Sequence, residues 1–255
     1  MYGARRQCCA YARGDFIMSE NNVKTEFSRT AAVIGNEGLD RLSKARVAVF
    51  GVGGVGGYVC ESLARSGVGA LDLFDMDTVS LSNINRQIIA LHSTVGRYKT
   101  EVMRERILDV NPDCTVTEHR VFYMPENADE FDLSKYDLIV DAIDTVTAKI
   151  ELAVRATSLS IPFIACMGTG NKMDVSKLQI SDLAKTTVCP LARVMRRELK
   201  QRGITHLPVL YSTELPITSG TDENGKKVPA STAFVPAAAG LMIGAYAVKT
   251  LLEND

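Results

Sequence analysis

In VAVFGVGGVGGY (residues 47–58) an apolar, β-branched run breaks into five glycines within seven residues. RVAVF (46–50) has the composition of a buried strand, and VGGYVCESLARSGVG (55–69) reads as a helix stopped by glycine. ALDLFD (70–75) follows as a second strand, completing a β-α-β unit of about 30 residues. Gly51, Gly53 and Gly56 fit G-x-G-x-x-G between that strand and that helix, and Asp75 closes the second strand 24 positions after Gly51. Such glycines let the backbone approach phosphates, the helix N-terminus offers N–H groups and a positive dipole end, and a carboxylate at the next strand end can hold ribose hydroxyls. A nucleotide is implied, but the glycines alone do not separate a dinucleotide such as NAD from ATP.

Outward from this unit, strand and helix patterns alternate. YKTEVMRERILDVNP (98–112) places Met103, Ile107 and Val110 on one helical face and stops at Pro112; CTVTEHR (114–120) alternates as a strand. YDLIVDAID (136–144) is an apolar run of the kind buried in parallel sheets, a helix is predicted over 146–159, and IPFIAC (161–166) returns as a strand. The expectation is an α/β fold with a doubly wound, mostly parallel Rossmann-like sheet. After residue 170 the rhythm changes: KLQISDLAK (177–185) and LPVLYSTEL (207–215) look like strands of a mixed or antiparallel C-terminal extension, flanking a helix at 190–202. TSGTDENGKKVPAS (218–231) reads as a mobile loop. Residues 1–26 read as a disordered leader, and residues 27–255 as one domain with a nucleotide-binding core over about 45–170 and a substrate-side extension over about 171–255.

A hydrophobic content of 46%, 23% charged residues and a formal net charge of -1 describe an ordinary soluble chain with no global pull toward nucleic acid or membrane. The six cysteines include no C-x-x-C pair, so neither a zinc ribbon nor a redox dithiol is written here, and a reduced, cytoplasmic chain is the simpler expectation. The longest apolar stretch, AFVPAAAGLMIGAYAVKTLL (233–252), has 16 residues before Lys249 and contains Pro236. A membrane span needs about 20, so a buried core helix is expected there.

The nucleotide is discriminated downstream, in DMDTVSLSNINRQ (75–87). A dinucleotide's pyrophosphate carries about two charges, whereas a triphosphate brings about four and calls for cationic side chains and a divalent metal. Asn83 and Arg86 follow the second strand and Lys99 heads the next helix. Each alone reads as a solvated polar group; together, around one strand edge, they suggest phosphate ligands.

The combination of GxGGxG, D-x-D-T-V-x-x-S-N-x-x-R-Q, G-x-x-K (Gly96 to Lys99) and D-A-I-D resembles the ThiF/MoeB/HesA family of adenylating enzymes related to ubiquitin activators. The resemblance implies that Gly54 approaches the phosphates, Asp75 holds the ribose, Asn83, Arg86 and Lys99 contact the triphosphate, and Asp144 holds Mg²⁺. It also implies a homodimer, because Arg29 matches an arginine that reaches the neighbouring subunit's site. The implied reaction is attack of a carboxylate on the α-phosphate to give an acyl-adenylate. Asp144 has an alternative reading as the N-cap of TVTAKIEL, and Asp141 reads as the structural carboxylate of the pair.

Within that family, the chain lacks the zinc-binding C-x-x-C pairs usual in activators of sulfur carriers. RTAAVIGNEGLDRL, the segment 166–199 and the Ala/Gly-rich C-terminal helix resemble instead the branch of tRNA threonylcarbamoyladenosine dehydratases, which activate a threonyl carboxylate on a modified adenosine and let it cyclise. The alternatives are adenylation of the C-terminal glycine of a sulfur-carrier or ubiquitin-like protein, and a nucleotide-binding adaptor in sulfur transfer. A monovalent cation and a cysteine desulfurase or sulfur-acceptor partner are compatible with the resemblance. Cys189, before Pro190 at a helix start, reads as core or cap in competition with acyl acceptor, and Cys166 as packed. LARVMRRELKQR (191–202) places Arg193, Arg196, Arg197 and Lys200 largely on one side, opposite Leu191, Met195 and Leu199. With Lys226 and Lys227 it is the candidate tRNA surface, and a solvated helix face is the alternative.

Overall fold

Arg46–Phe50 (β1) runs between Ala70–Phe74 (β2) and Leu138–Asp141 (β4), pairing in parallel with both. A computed structural model describes residues 25–217 and 230–253. Residues 1–24 of the expected leader and residues 218–229 of the expected loop, with Lys226 and Lys227, lie outside the described residues. From β1 the chain moves outward through β2 to Thr115–His119 (β3), then crosses to the other side of β1 to form β4 and Phe163–Cys166 (β5). The split between β2 and β4 beside β1 opens a crevice at the carboxyl ends of the strands, where open α/β sheets bind their ligands. Two further strands, Leu178–Asp182 (β6) and Pro208–Ser212 (β7), extend the same sheet to the order β3-β2-β1-β4-β5-β7-β6. β7 runs parallel to β5, and among these seven strands the β6–β7 pair alone is antiparallel, the mixed extension expected from the change in pattern after residue 170.

Alternation along β1 shows how the two faces are covered. Val47 and Val49 point into a layer with Val59 and Leu63 of Gly56–Arg65 (α2), Met103 and Ile107 of Lys99–Val110 (α3), and the C-terminal helix. Ala48 and Phe50 point into the other layer, with Ala148 and Leu152 of Val146–Ser158 (α4) and Met195 and Leu199 of Pro190–Gln201 (α5). Both faces are therefore dry, which is why the central strands read as continuous apolar runs.

Two further helices lie on the side of α2 and α3. Phe234–Glu253 (α6) is long and apolar enough to cross a membrane by length and composition. It is nevertheless a core helix: its Gly240 and Gly244 lie against α2 so closely that a Cβ would stand 2.4 Å from the Val55 carbonyl oxygen and 1.8 Å from Ser62 Oγ. Ser28–Lys44 (α1) was not anticipated from periodicity. It is two helical pieces joined at Gly35, which adopts φ 78° and breaks the apolar phase. A short 3-10 turn, Thr25–Phe27, precedes it.

Candidate active site

The carboxyl ends of β1, β2, β4 and β5 open onto a cavity of about 600 Å³. Gly51, Gly53, Gly54, Asp75, Asn83, Arg86, Lys99 and Asp144 all line it, so eight positions spread over 94 residues of chain meet around one space. Gly51 takes φ 89°, and a Cβ there would meet the Ala142 carbonyl oxygen at 2.7 Å. Gly56 stands just outside the set of residues that line the cavity. Its missing side chain is a steric requirement of the turn, since a Cβ would stand 1.8 Å from the Gly51 carbonyl oxygen. Gly53 is the opposite case: a Cβ would meet only Gln87 Nε2, at 3.8 Å, so packing within the protein does not demand a glycine. A group approaching the backbone closely from the cavity would demand one.

Around the glycine turn the polar groups are pre-set. Asp75 accepts hydrogen bonds from Val52 N at 2.8 Å and Asp77 N at 2.9 Å, which ties the strand end to the turn. Burial pushes its carboxyl above the usual range against the opposing charge of Lys99. The buried Lys99 ammonium lies 2.6 Å from Asp77 and 3.9 Å from Asp75. Asn83 spends its Oδ1 on Ser80 N at 3.0 Å, leaving the amide NH₂ as the donor it can offer. Arg86 donates to Ser82 O at 2.9 Å and Asn85 Oδ1 at 2.8 Å. These contacts hold two cations beside a glycine turn before any anion arrives, so little rearrangement is needed to bind one.

Across the cavity, Asp144 is exposed, and its carboxylate accepts from Thr145 Oγ1 at 3.4 Å. The N-cap of α4 is Thr145, which removes the capping alternative for Asp144. Asp141 is the structural carboxylate, fully buried and 2.8 Å from the equally buried Lys149 ammonium. Among the described residues no cluster of three or more His, Cys, Asp or Glu side chains could cage a metal. A single exposed carboxylate facing a phosphate site instead suits Mg²⁺, which keeps several waters and binds through one or two carboxylates and phosphate oxygens. The residues present therefore fit a nucleotide-borne Mg²⁺.

The thiols do not resemble activated nucleophiles. Cys166 lines the cavity, but burial pushes its thiol up to about 12, and its Sγ donates to Met167 O at 3.2 Å. Cys189 is buried at the N-cap of α5 and does not line the cavity.

Arg29 sits exposed on α1 and does not line its own chain's cavity. On α5, Arg193, Arg197 and Lys200 are exposed, as the amphipathic pattern requires. Arg196 departs from that reading: its guanidinium is turned inward to Leu183 O at 3.2 Å, Thr186 O at 3.0 Å and Thr186 Oγ1 at 2.5 Å. Through Nη1 it braces the segment before α5. Arg197 bonds Glu198 at 2.8 Å. Residues the sequence analysis did not single out complete the wall, notably Gln87, Gly168, Thr169 and Ser231. Gln87, the last residue of the 75–87 motif, is 7% exposed, with its Oε1 unpartnered among the described residues.

A glycine turn at the sheet's switch point, two cations beside it and one open carboxylate opposite define a site for a polyphosphate nucleotide. The chain belongs to the ThiF family, whose family model matches residues 27–255. It is similar to tRNA threonylcarbamoyladenosine dehydratase of Bacillus subtilis (strain 168), with 43% identity over 242 residues covering 90% of this chain and 95% of that protein. The crystal structure of Escherichia coli tRNA N6-threonylcarbamoyladenosine dehydratase, TcdA, in complex with ATP matches with a TM-score of 0.82 at 35% identity, covering 89% of this chain and 93% of that one. The molybdopterin-synthase adenylyltransferase of Salmonella typhimurium (strain LT2) is 35% identical over 129 residues, 51% of each chain.

Proposed function

We propose that the protein is an ATP-dependent enzyme that adenylates the threonyl carboxylate of N6-threonylcarbamoyladenosine in tRNA and so yields the cyclic, dehydrated nucleoside. The observation that carries this reading is the convergence of Gly53, Arg86, Lys99 and Asp144 on one cavity. Identity to the Bacillus dehydratase over almost the full length of both chains supports the substrate, whereas the molybdopterin-synthase relative aligns with only half.

In this reading Asp75 holds the ribose, and the backbone at Gly53 and Gly54 lets the phosphates approach. Asn83, Arg86 and Lys99 bind the triphosphate, and Arg29 reaches in from a second subunit of a homodimer. A carboxylate oxygen of the substrate attacks the α-phosphorus and pyrophosphate departs. A nitrogen of the same substrate then attacks the acyl carbon, AMP departs, and the nitrogen releases its proton to solvent. The carboxylate is already ionised at neutral pH, so no general base is required for the first step. Because the second step is intramolecular, no side chain has to carry the acyl group, which agrees with the raised Cys166 thiol. Arg86, Lys99 and Arg29 spread the charge that develops on the α-phosphoryl group and the departing pyrophosphate. Asp144 would hold Mg²⁺, which when bound would supply further neutralisation of phosphate charge. The exposed Arg193 and Lys200 of α5, with Arg197, are the tRNA-facing cations, and the setting is cytoplasmic.

Mass spectrometry of tRNA nucleosides from a deletion strain tests the assignment: the cyclic nucleoside is expected to disappear and the linear one to accumulate, and an unchanged cyclic level overturns it. ATP–pyrophosphate exchange separates the alternatives. Stimulation by modified tRNA supports the dehydratase, stimulation by a Gly-Gly-tailed carrier protein supports carrier activation, and no exchange with either supports an adaptor.

A further inference from the structure

Directly behind the cavity floor lies a charged pair that takes no part in the chemistry above. Lys149, in the first turn of α4, and Asp141, at the end of β4, are both 0% exposed. The Lys149 ammonium stands 2.8 Å from Asp141 Oδ2 and donates to Cys166 O at 2.8 Å and to Ile143 O at 3.2 Å. Asp141 Oδ1 in turn accepts from Ile143 N at 3.1 Å. Residue 143 is therefore gripped twice, its N–H by the carboxylate and its carbonyl by the ammonium. That carbonyl belongs to the peptide bond leading into Asp144, and Ile143, Asp144 and Cys166 all line the cavity.

The fold alone does not call for this arrangement. A buried ion pair contributes little net stability compared with apolar side chains of similar volume, although removing one partner alone is costly. Around it, Phe50, Ala148 and Leu152 already form a dry layer. A pair of leucine-like residues could fill the same space, but it could not orient a peptide carbonyl or tie the end of β4 to the end of β5. What the pair adds is direction.

We propose that the Asp141–Lys149 pair is a positioning device: it fixes the Ile143–Asp144 peptide and the ends of β4 and β5, so that the Asp144 carboxylate stands where the metal–nucleotide complex needs it. This rests on the ATP- and Mg²⁺-dependent reading of the cavity. Partners that orient a metal-binding carboxylate typically change metal affinity about 10- to 100-fold when removed.

The test is calorimetric titration of the full chain with ATP in the presence and absence of Mg²⁺, alongside thermal unfolding. Wild type is expected to bind ATP more tightly with Mg²⁺. Absence of that gain in the wild type would count against the reading of the cavity itself, before any variant is considered. Lys149→Met is expected to lower Tm by stranding Asp141. The double variant Asp141→Leu/Lys149→Met is expected to recover most of that Tm and to keep the Mg²⁺-free ATP affinity, yet lose about tenfold or more of the Mg²⁺-dependent gain. Lys149→Arg keeps the charge and is expected to fold, but a longer planar guanidinium cannot place its donors on both carbonyls from the same point, so its gain should fall too. A full Mg²⁺-dependent gain in either the double variant or Lys149→Arg overturns the proposal.

Discussion

A Cβ on Gly56 would stand 1.8 Å from the Gly51 carbonyl oxygen, whereas one on Gly53 would find only Gln87 Nε2, at 3.8 Å. The two positions look alike in G-x-G-x-x-G but answer to different demands. Gly56→Ala forces backbone apart and is expected to destabilise by about 3 kcal/mol or more, read as a loss of Tm or of soluble protein. Gly53→Ala should leave Tm within a few degrees and weaken ATP binding about tenfold, read by titration calorimetry. An equal effect of the two on stability would show that Gly53 is also structural.

A second residue-scale prediction concerns pH. Asp72 is fully buried in β2; burial opposes its ionisation, but hydrogen bonds from His119 and Tyr136 and the charges of Arg46 and Lys135 bring its pKa to about 2. His119 Nε2 lies at 3.0 Å, the Tyr136 hydroxyl at 2.8 Å and the Arg46 guanidinium at 2.6 Å. Because the folded value lies below the ordinary 3.8, the stabilisation is fully present above about pH 4 and is lost as pH falls toward about 2. Asp72→Asn should therefore be less stable than wild type at pH 7, by on the order of 1–3 kcal/mol, with the difference shrinking between pH 4 and pH 2 in urea titrations. A constant difference across that range would refute the linkage.

At the scale of elements, α5 shows how far a helical wheel reads correctly. Its buried stripe of Ala192, Met195 and Leu199 follows from i, i+3, i+4 spacing, and the opposite face carries the arginines. The wheel could not show that Arg196 turns back to Leu183 and Thr186, because those acceptors come from a different segment. Reversing Arg193 and Lys200 to Glu should lower tRNA affinity and flatten its salt dependence while leaving Tm unchanged. Arg196→Ala should lower Tm and leave the slope of log affinity against log salt nearly unchanged. Filter binding over a salt series checks both, and an unchanged slope in the Arg193/Lys200 variant would remove α5 from the tRNA surface. Among the other elements, α1 was not legible because Gly35 resets its phase, whereas α6 was legible as a core helix from its length and Pro236.

For the whole molecule, the proposed homodimer makes a prediction that no single site can. Arg29 lies outside its own chain's cavity while Arg86 lies inside it. If Arg29 completes a neighbour's site, Arg29→Ala and Arg86→Ala should each be inactive alone. Mixing them under conditions of subunit exchange should restore activity, because a mixed dimer contains one site with both arginines intact. Failure to recover activity in verified mixed dimers would place Arg29 in no site.

Composition and spacing were enough for the strand–glycine–helix unit, the alternating α/β rhythm and the cationic set Arg86 and Lys99, since each is written within a few turns of chain, where periodicity and short motifs operate. Other features depended on residues far apart in sequence becoming neighbours. Gly56 serves the turn and Gly53 the cavity; Arg196 is structural; Asp144 is free of a capping role; Lys149 reaches Cys166 across two strands. Local spacing carries the period of an element and the residue types on its face. It carries no information on which carbonyl or carboxylate another element brings within 3 Å, and at those distances a charged side chain becomes either a ligand or a brace.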